Sequence, residues 1–287
     1  MYKIVLKKEL APDIDQFDVE APLIAKKARA GQFVVIRVHE DGERVPLTIA
    51  AYEREKGLIT LVSMKVGKST ALLAELKQGD NIIDLVGPLG SPSEIENFGK
   101  VICVGGGVGI APVLPIAKEL KAAGSYVISI IGAKTKDLLI LEEEMKEASE
   151  KLHICTDDGT KGYKGFVSGL MEEMLENNII DKKTKKTSIA RCIAIGPAIM
   201  MAAVTKVTKK NNLKTIVSLN SIMVDGTGMC GACRVKVGEK TKFVCVDGPE
   251  FDGHEVDFDL LMSRQQIYYD HEGICYDMYR EACSCKK

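Results

Sequence analysis

The amino-acid sequence predicts three parts in order: a small antiparallel β-barrel over residues 1–97, an α/β unit with a parallel sheet over 98–218, and an irregular region over 219–287. Three observations predict them. Short β-rich runs separated by turn dipeptides fill the first part. From Lys100 onward strands alternate with helices, and a run of glycines stands at the first strand-to-helix turn. Past Leu219 the regular pattern fades, and six of the nine cysteines follow: Cys230, Cys233, Cys245, Cys275, Cys283 and Cys285.

In the first part, strands are expected over residues 4–6, 33–38, 47–51, 58–63 and 81–86. The dipeptides Asp41-Gly42, Lys56-Gly57 and Gly79-Asp80 punctuate them. A helix over 69–76 interrupts the barrel, with Ser69 placed to cap it. The second part reads as strands at 101–104, 126–131, 152–155, 191–195 and 215–218. Helices run from the glycines to Ala123 and over 138–149, 165–177 and 199–209. Lysines between Lys182 and Lys186 read as a solvated loop, and no internal repeat is present.

Composition narrows the function. A hydrophobic content of 46% is enough for sizeable cores. A net charge of −1 offers no pull toward nucleic acid or anionic membrane. Without Trp, and with 5% aromatics, there is little to stack bases on. The longest apolar stretch, Val101 to Ala117, is broken by four glycines and two prolines, so membrane insertion is not expected. Met1-Tyr2-Lys3 opens into a strand rather than a long apolar signal segment. An odd cysteine count does not read as a secreted disulfide framework, and a reducing cytoplasm with a metal site is expected.

The most specific motif is Asp225-Gly226-Thr227-Gly228-Met229-Cys230-Gly231-Ala232-Cys233, with Cys245 beyond it. The spacing C-x4-C-x2-C followed by a later Cys is that of plant-type ferredoxins, here with Asp in the first place. Asp225, Cys230, Cys233 and Cys245 are therefore expected to hold a [2Fe-2S] cluster. Zinc is the alternative, because Cys-x2-Cys also serves zinc. Zinc usually takes two such pairs, however, and this glycine-rich loop has one. A hard oxygen ligand at Asp225 would change the cluster's electronics. Cys275, Cys283 and Cys285 are left open: Cys283-x-Cys285 reads as an exposed tail, with metal binding as the alternative.

A second motif is Gly105-Gly106-Gly107-Val108-Gly109-Ile110-Ala111-Pro112, between a strand and a helix. Small residues there let the backbone approach a pyrophosphate at a helix N-terminus. Ile110 stands where a Rossmann fingerprint has its third glycine, and the second strand ends without an acid. The motif thus reads as a variant, Rossmann-like dinucleotide site using Gly105, Gly106, Gly107, Gly109 and Pro112, or else as a plain tight turn. Asp157, Asp158 and Gly159 follow the third strand, at the edge where open α/β sheets bind ligands. Their carboxylates suit ribose hydroxyls and repel a 2′-phosphate, which favours NAD(H); a solvated Asp-Gly turn is the alternative. Gly196 and Pro197 form the matching turn after the fourth strand.

In the barrel, Arg44 suits a pyrophosphate, and Thr48, after Pro46 and Leu47, suits a flavin ring. Gly67, Lys68, Ser69 and Thr70 place amides and hydroxyls at a helix start. Ser63 is counted with them. No nucleophile triad stands out, and the four histidines have no metal spacing.

Residues 44–48, 67–70, 105–112, 156–159, 196–197 and 220–233 together resemble the ferredoxin–NADP reductase superfamily over essentially the whole chain. The resemblance lies in the branch holding the dihydroorotate dehydrogenase electron-transfer subunits. Within it the chain is most similar to the small (alpha) subunits of NADH-dependent ferredoxin:NADP oxidoreductases, also called sulfide dehydrogenase beta subunits. This resemblance implies an FAD-binding barrel, NAD(H) on the α/β domain and an iron–sulfur C-terminal region. A larger partner with a second flavin and [4Fe-4S] clusters is implied too, in an assembly that bifurcates electrons between NAD, NADP and ferredoxin. Dihydroorotate-type subunits carry Cys where Asp225 stands, so Asp225 separates the branches; service to a dihydroorotate, sulfide or hydrogenase partner is the alternative. The wider superfamily often has Cys before the Gly-Pro, whereas Ile195 stands here and leaves the hydride-side contact unassigned. Hydride transfer needs the nicotinamide stacked on the flavin, so catalysis is expected to rest on positioning, with no acid–base side chain.

Overall fold

The computed structural model describes residues 1–178 and 189–284. The basic loop expected at 182–186, Cys285 and the side chain of Cys283 lie outside the described parts.

The first seven strands are β1 (Tyr2–Ala11), β2 (Ile14–Glu20), β3 (Phe33–Arg37), β4 (Arg44–Glu53), β5 (Leu58–Met64), β6 (Asn81–Ile82) and β7 (Asp84–Leu89). They form one sheet in the order β6-β1-β2-β5-β4-β3-β7, antiparallel at every pairing. Its two edges, β6 and β7, are separated in the chain by Ile83 alone, so the sheet curls into a nearly closed barrel. Phe17, Val34, Ile36, Ile49, Ile59 and Leu61 fill it. The sequence reading passed over β2, because Asp15, Gln16 and Asp18 dilute its apolar face. It also passed over α1 (Pro22–Lys27). The next helix, α2 (Lys68–Glu75), is capped differently from the expectation. Gly67, not Ser69, is its N-cap, and the Thr70 hydroxyl accepts from the amides of Val66 and Gly67 at 3.0 and 3.2 Å.

The α/β part follows as β8 (Lys100–Gly106), α3 (Ile110–Ala122), β9 (Tyr126–Ala133), α4 (Glu142–Glu147), β10 (Lys151–Thr156), β11 (Tyr163–Lys164), α5 (Val167–Asn178), β12 (Ile189–Ile195), α6 (Ala198–Lys210) and β13 (Thr215–Ser218). Its strands order as β11-β10-β9-β8-β12-β13 and run parallel. From β8 the chain builds outward in one direction, then returns to build in the other. The crevice between the ends of β8 and β12 is therefore the topological switch point, where such sheets bind ligands. Alternate residues divide between two cores. Ile102, Val104, Ile130 and Ala194 pack with α5 and α6, while Val101, Cys103, Ile131 and Ile193 pack with α3 and with Ala30, Ala50 and Val62 of the barrel. Tyr52 of β4 donates to Glu119 of α3 across that seam. Burial first, and the Glu119 carboxylate second, push the Tyr52 phenol up to about 12.

The C-terminal region is irregular through the cluster loop but regular beyond it. A hairpin of β14 (Arg234–Val237) and β15 (Lys240–Phe243) leads to α7 (Val244–Asp247), β16 (Glu250–Asp252), α8 (Phe258–Gln265) and α9 (Tyr269–Ser284). Strand β16 joins the parallel sheet antiparallel to β13, with Val217 opposite Phe251. Cys233, Val235, Val244, Cys245 and Phe251 share a core with α5, α6 and the sheet. Among the described residues no helix is long and apolar enough to cross a membrane.

Candidate functional site

Strand register brings the nucleotide residues to one edge. Ile195 lies opposite Gly105, Gly106 opposite Gly132, and Gly132 opposite Cys155. Gly196, Gly107, Lys134 and Asp157, which follow, therefore line the carboxyl ends of four neighbouring strands. A Cβ on Gly109 would stand 2.8 Å from Gly196 Cα, so the loop after β8 and the turn after β12 meet only because glycine lies between them. Gly107 is different: its φ is +56° and an added Cβ would enter open space. That opening is where a ligand can reach the backbone. A short 3-10 turn, Gly107–Gly109, runs straight into α3 and takes up the Ile110 amide, which donates to Gly107 O, so the amides left for an anion are those of the turn itself; Pro112 sits in the first turn of α3. The residues fit a bound dinucleotide.

Asp157 and Asp158 are exposed at the end of β10. Asp158 Oδ1 accepts from the amide and hydroxyl of Thr160 at 3.0 and 2.7 Å, and these donors hold its carboxyl below the usual range. Gly159 turns the chain with φ +79°. Two neighbours escaped the sequence reading. The Gly165 amide donates to Thr156 O at 3.0 Å, which brings the backbone before Phe166 to the strand edge that Asp157 leaves. Phe166 is 68% exposed, whereas the other phenylalanines are buried or half-buried. Isolated from any apolar periodicity, it had nothing to mark it. Met200 is the second, its thioether wedged against Gly106 and Gly196.

On the barrel, Arg44, Pro46 and Thr48 alternate with Val45 and Leu47, which pack into the interior. Leu47 can thus offer a cofactor only its backbone. Ser63 is buried, and its hydroxyl has no hydrogen-bond partner. Gly67 opens to space like Gly107, and α2 starts without a side-chain cap. Thr70 is occupied with its own turn, and Ser69 donates to Glu43 at 3.0 Å. The exposed Arg44 and the open helix start fit a flavin nucleotide along this strip, while Ser63 follows Leu61 on the inner side of the barrel.

The cluster loop rests on the next strand of the same outer face. Gly226, with φ +77°, packs so closely on β3 that a Cβ would stand 2.6 Å from Val35 Cγ2. A cleft of 330 Å³, bounded by Val35, Arg44 and Asp225 among others, separates the loop from the predicted flavin strip. Arg264 and Arg234 anchor the loop by donating to Ala232 O and Gly231 O at 3.1 and 3.2 Å.

The four predicted ligands form two pairs. Cys233 and Cys245 are buried, with sulfurs 3.2 Å apart, and the Cys245 amide points at Cys233 Sγ. Burial first, then the Cys233 thiol, push the Cys245 thiol up to about 12. Cys230 is exposed and Asp225 half-buried. Asp225 Oδ2 accepts from the Cys230 amide at 2.8 Å, and Oδ1 accepts from the amide and hydroxyl of Thr227. The Thr227 amide, as the main cause, holds the Asp225 carboxyl down to about 2. Among the described residues, no three Cys, His, Asp or Glu side chains converge as a single metal ion requires. Two pairs suit a two-iron cluster, in which each iron takes two protein ligands, better than tetrahedral zinc.

A nearly closed barrel feeding a parallel nucleotide sheet, with a cysteine loop folded between them, defines an NAD(H)-linked oxidoreductase of the ferredoxin–NADP reductase type. Comparison with known proteins agrees. Residues 220–257 match the iron–sulfur cluster binding domain of dihydroorotate dehydrogenase B, and 103–206 match the oxidoreductase NAD-binding domain. A Thermotoga maritima protein, a homologue of the dihydroorotate dehydrogenase B (NAD(+)) electron transfer subunit, is 50% identical over 96% of this chain and 95% of its own. The corresponding electron transfer subunit of Streptococcus pneumoniae is 33% identical over 87% of this chain and 94% of its own. A solved chain of the NADH-dependent reduced ferredoxin–NADP oxidoreductase, studied for flavin-based electron bifurcation, superimposes with a TM-score of 0.90 at 47% identity. That match covers 97% of this chain and 98% of the other. The chain belongs to the family of dihydroorotate dehydrogenase B electron-transfer subunits and their homologues.

Proposed function

We propose that this chain is the NAD(H)-handling electron-transfer subunit of a cytoplasmic, electron-bifurcating NADH-dependent ferredoxin:NADP oxidoreductase. Its partner would be a larger subunit carrying flavin and [4Fe-4S] clusters, through which ferredoxin exchanges electrons. The observation that carries the reading is the paired set Asp225–Cys230 and Cys233–Cys245, seated one strand from Arg44–Thr48 on the same outer barrel face.

The residues divide the work. The amides of the Gly107–Gly109 turn hold the dinucleotide pyrophosphate. Asp157 takes a ribose hydroxyl, and Phe166 offers a flat apolar surface at the same strand edge. Gly196 and Pro197 keep the backbone thin where the nicotinamide must approach. Arg44 and the first amides of α2 hold the flavin's phosphates, while Thr48 orients its ring. FAD and the [2Fe-2S] cluster, when bound, supply the exchange of a two-electron hydride for single electrons. The side chains of this chain bind and orient, and none is assigned an acid–base role.

A second reading, service to a dihydroorotate, sulfide or hydrogenase-linked partner, is favoured by the 33% identity to the Streptococcus pneumoniae subunit. Purification with the native partner separates the two. The complex should reduce NADP when given NADH and reduced ferredoxin together, and should fail with either alone. A complex that oxidises dihydroorotate and lacks this coupling would establish the second reading. Asp225→Cys should keep the cluster but alter its reduction potential; complete loss of iron would mean that Asp225 is not interchangeable with the thiolate.

A further inference from the structure

We propose that Thr227 is a positioning residue for the iron–sulfur cluster, setting both the orientation and the donor strength of the Asp225 carboxylate. The proposal rests on the reading that Asp225 is a cluster ligand.

A carboxylate on an exposed loop can ordinarily rotate and present either oxygen to a metal. Here both oxygens are already held. Oδ1 receives the amide and the hydroxyl of Thr227, the hydroxyl at 3.0 Å, and Oδ2 receives the Cys230 amide at 2.8 Å. Two of these three donors are backbone, fixed by a loop whose glycines turn at φ +77°, +90° and +68°. The Cys230 thiol also reaches the carboxylate, but as a cluster ligand it carries no proton, so the Thr227 hydroxyl is the side-chain donor that remains and that residue choice controls. Gly226 is pinned on Val35 and Gly228 against Val246, so the loop carries this arrangement as a rigid piece.

The chemistry follows from the direction of donation. Every hydrogen bond to a ligand draws charge away from it, and the ligand then gives less to its iron. The more electron-rich, reduced cluster gains most from that withdrawal, so donors to the ligands raise the reduction potential. An oxygen ligand concentrates charge more than sulfur and benefits more from a donor. Thr227 is thus placed to offset the potential-lowering effect of replacing a thiolate with a carboxylate. The Asp225–Cys230 pair requires this support more than the buried one, since Cys233 and Cys245 are held by the surrounding core.

The test uses the full chain, with whatever partner copurifies, handled anaerobically. Thr227→Val keeps the branched shape and the amide but removes the hydroxyl. Thr227→Ser keeps the hydroxyl. Flavin content serves as the folding control, and an EPR-monitored redox titration is the readout. Thr227→Val should move the cluster to a more negative midpoint potential with altered g-values, and Thr227→Ser should return both to wild type. Loss of iron from Thr227→Val with flavin intact would also support the role. An unchanged potential and spectrum in Thr227→Val would overturn it. Asp225→Ala separates the two layers of the argument. If that variant keeps the wild-type spectrum, the ligand assignment itself is wrong. If Asp225→Ala changes the spectrum while Thr227→Val does not, only the role of Thr227 is lost.

Discussion

At the carboxyl edge of the parallel sheet, the predicted contacts are mostly glycines and backbone amides. In the cluster loop they are four side chains: Cys230 exposed, Asp225 half-buried, Cys233 and Cys245 buried. The first site works by leaving side chains out, so that chain segments and a ligand can approach closely. The second works by placing particular donor atoms. The two regions should therefore fail differently: the sheet edge when a methyl group is added, the loop when a ligand atom is removed.

The largest effect is expected from the buried ligand pair. Cys245→Ser should bring iron content close to zero while flavin content and flavin bleaching by NADH survive, as iron analysis and visible spectra would record. Retained iron would remove Cys245 from the ligand set. At the sheet edge the converse change is Gly109→Ala. Its methyl meets the Ile195–Gly196 backbone, which cannot yield as a side-chain tip would. Overpacking of this kind costs roughly 1–3 kcal/mol. Urea unfolding should show that loss and NADH should bind at least tenfold more weakly, with the cluster spectrum unchanged. A cluster spectrum that changed with it would show the two regions to be one cooperative site.

A smaller effect tests the barrel strip between them. Arg44→Ala should lower flavin retention several-fold on gel filtration and leave iron content alone; full flavin content would exclude Arg44 from the site. The smallest concerns Glu250, which joins the Ser93 hydroxyl where barrel, sheet and C-terminal region meet. Burial raises its carboxyl above the usual range, outweighing Ser93 and the Arg191 charge, which favour the anion. The folded chain therefore holds this proton to higher pH than the unfolded chain does. That contribution is complete below the unfolded carboxylate pKa and is lost as pH rises through the folded value. Glu250→Gln should accordingly gain Tm over wild type at pH 8 relative to pH 5, by roughly 2 °C. A gap independent of pH would mean that Glu250 is ionised in the folded protein.

Much of the architecture could be read from local pattern. β-Rich runs over 33–38 and 58–63, set off by turn dipeptides, located barrel strands, and the glycines at 105–109 marked the switch-point loop, because both depend on neighbours in sequence. Features that depend on distant partners were not legible. Strand β16 is three residues long and exists only because β13 offers it an edge. Gly67 displaced Ser69 as the cap because Thr70 reaches back to two amides. The cluster ligands were legible as types and spacings. Their division into a buried pair and an outer pair was not, since it follows from α7 packing Cys245 into the core beside Cys233. Phe166 and Met200 gained meaning only when the fold placed them at the strand edge that Asp157 leaves and against the two glycine turns.

The most direct test of the central claim is to purify the chain anaerobically with its native partner and record visible and EPR spectra before and after NADH, with dithionite as the control for a low-potential cluster. The account predicts flavin bleaching by NADH and a [2Fe-2S] signal with NADH or, failing that, with dithionite. A colourless, iron-free protein that does not react with NADH would contradict it.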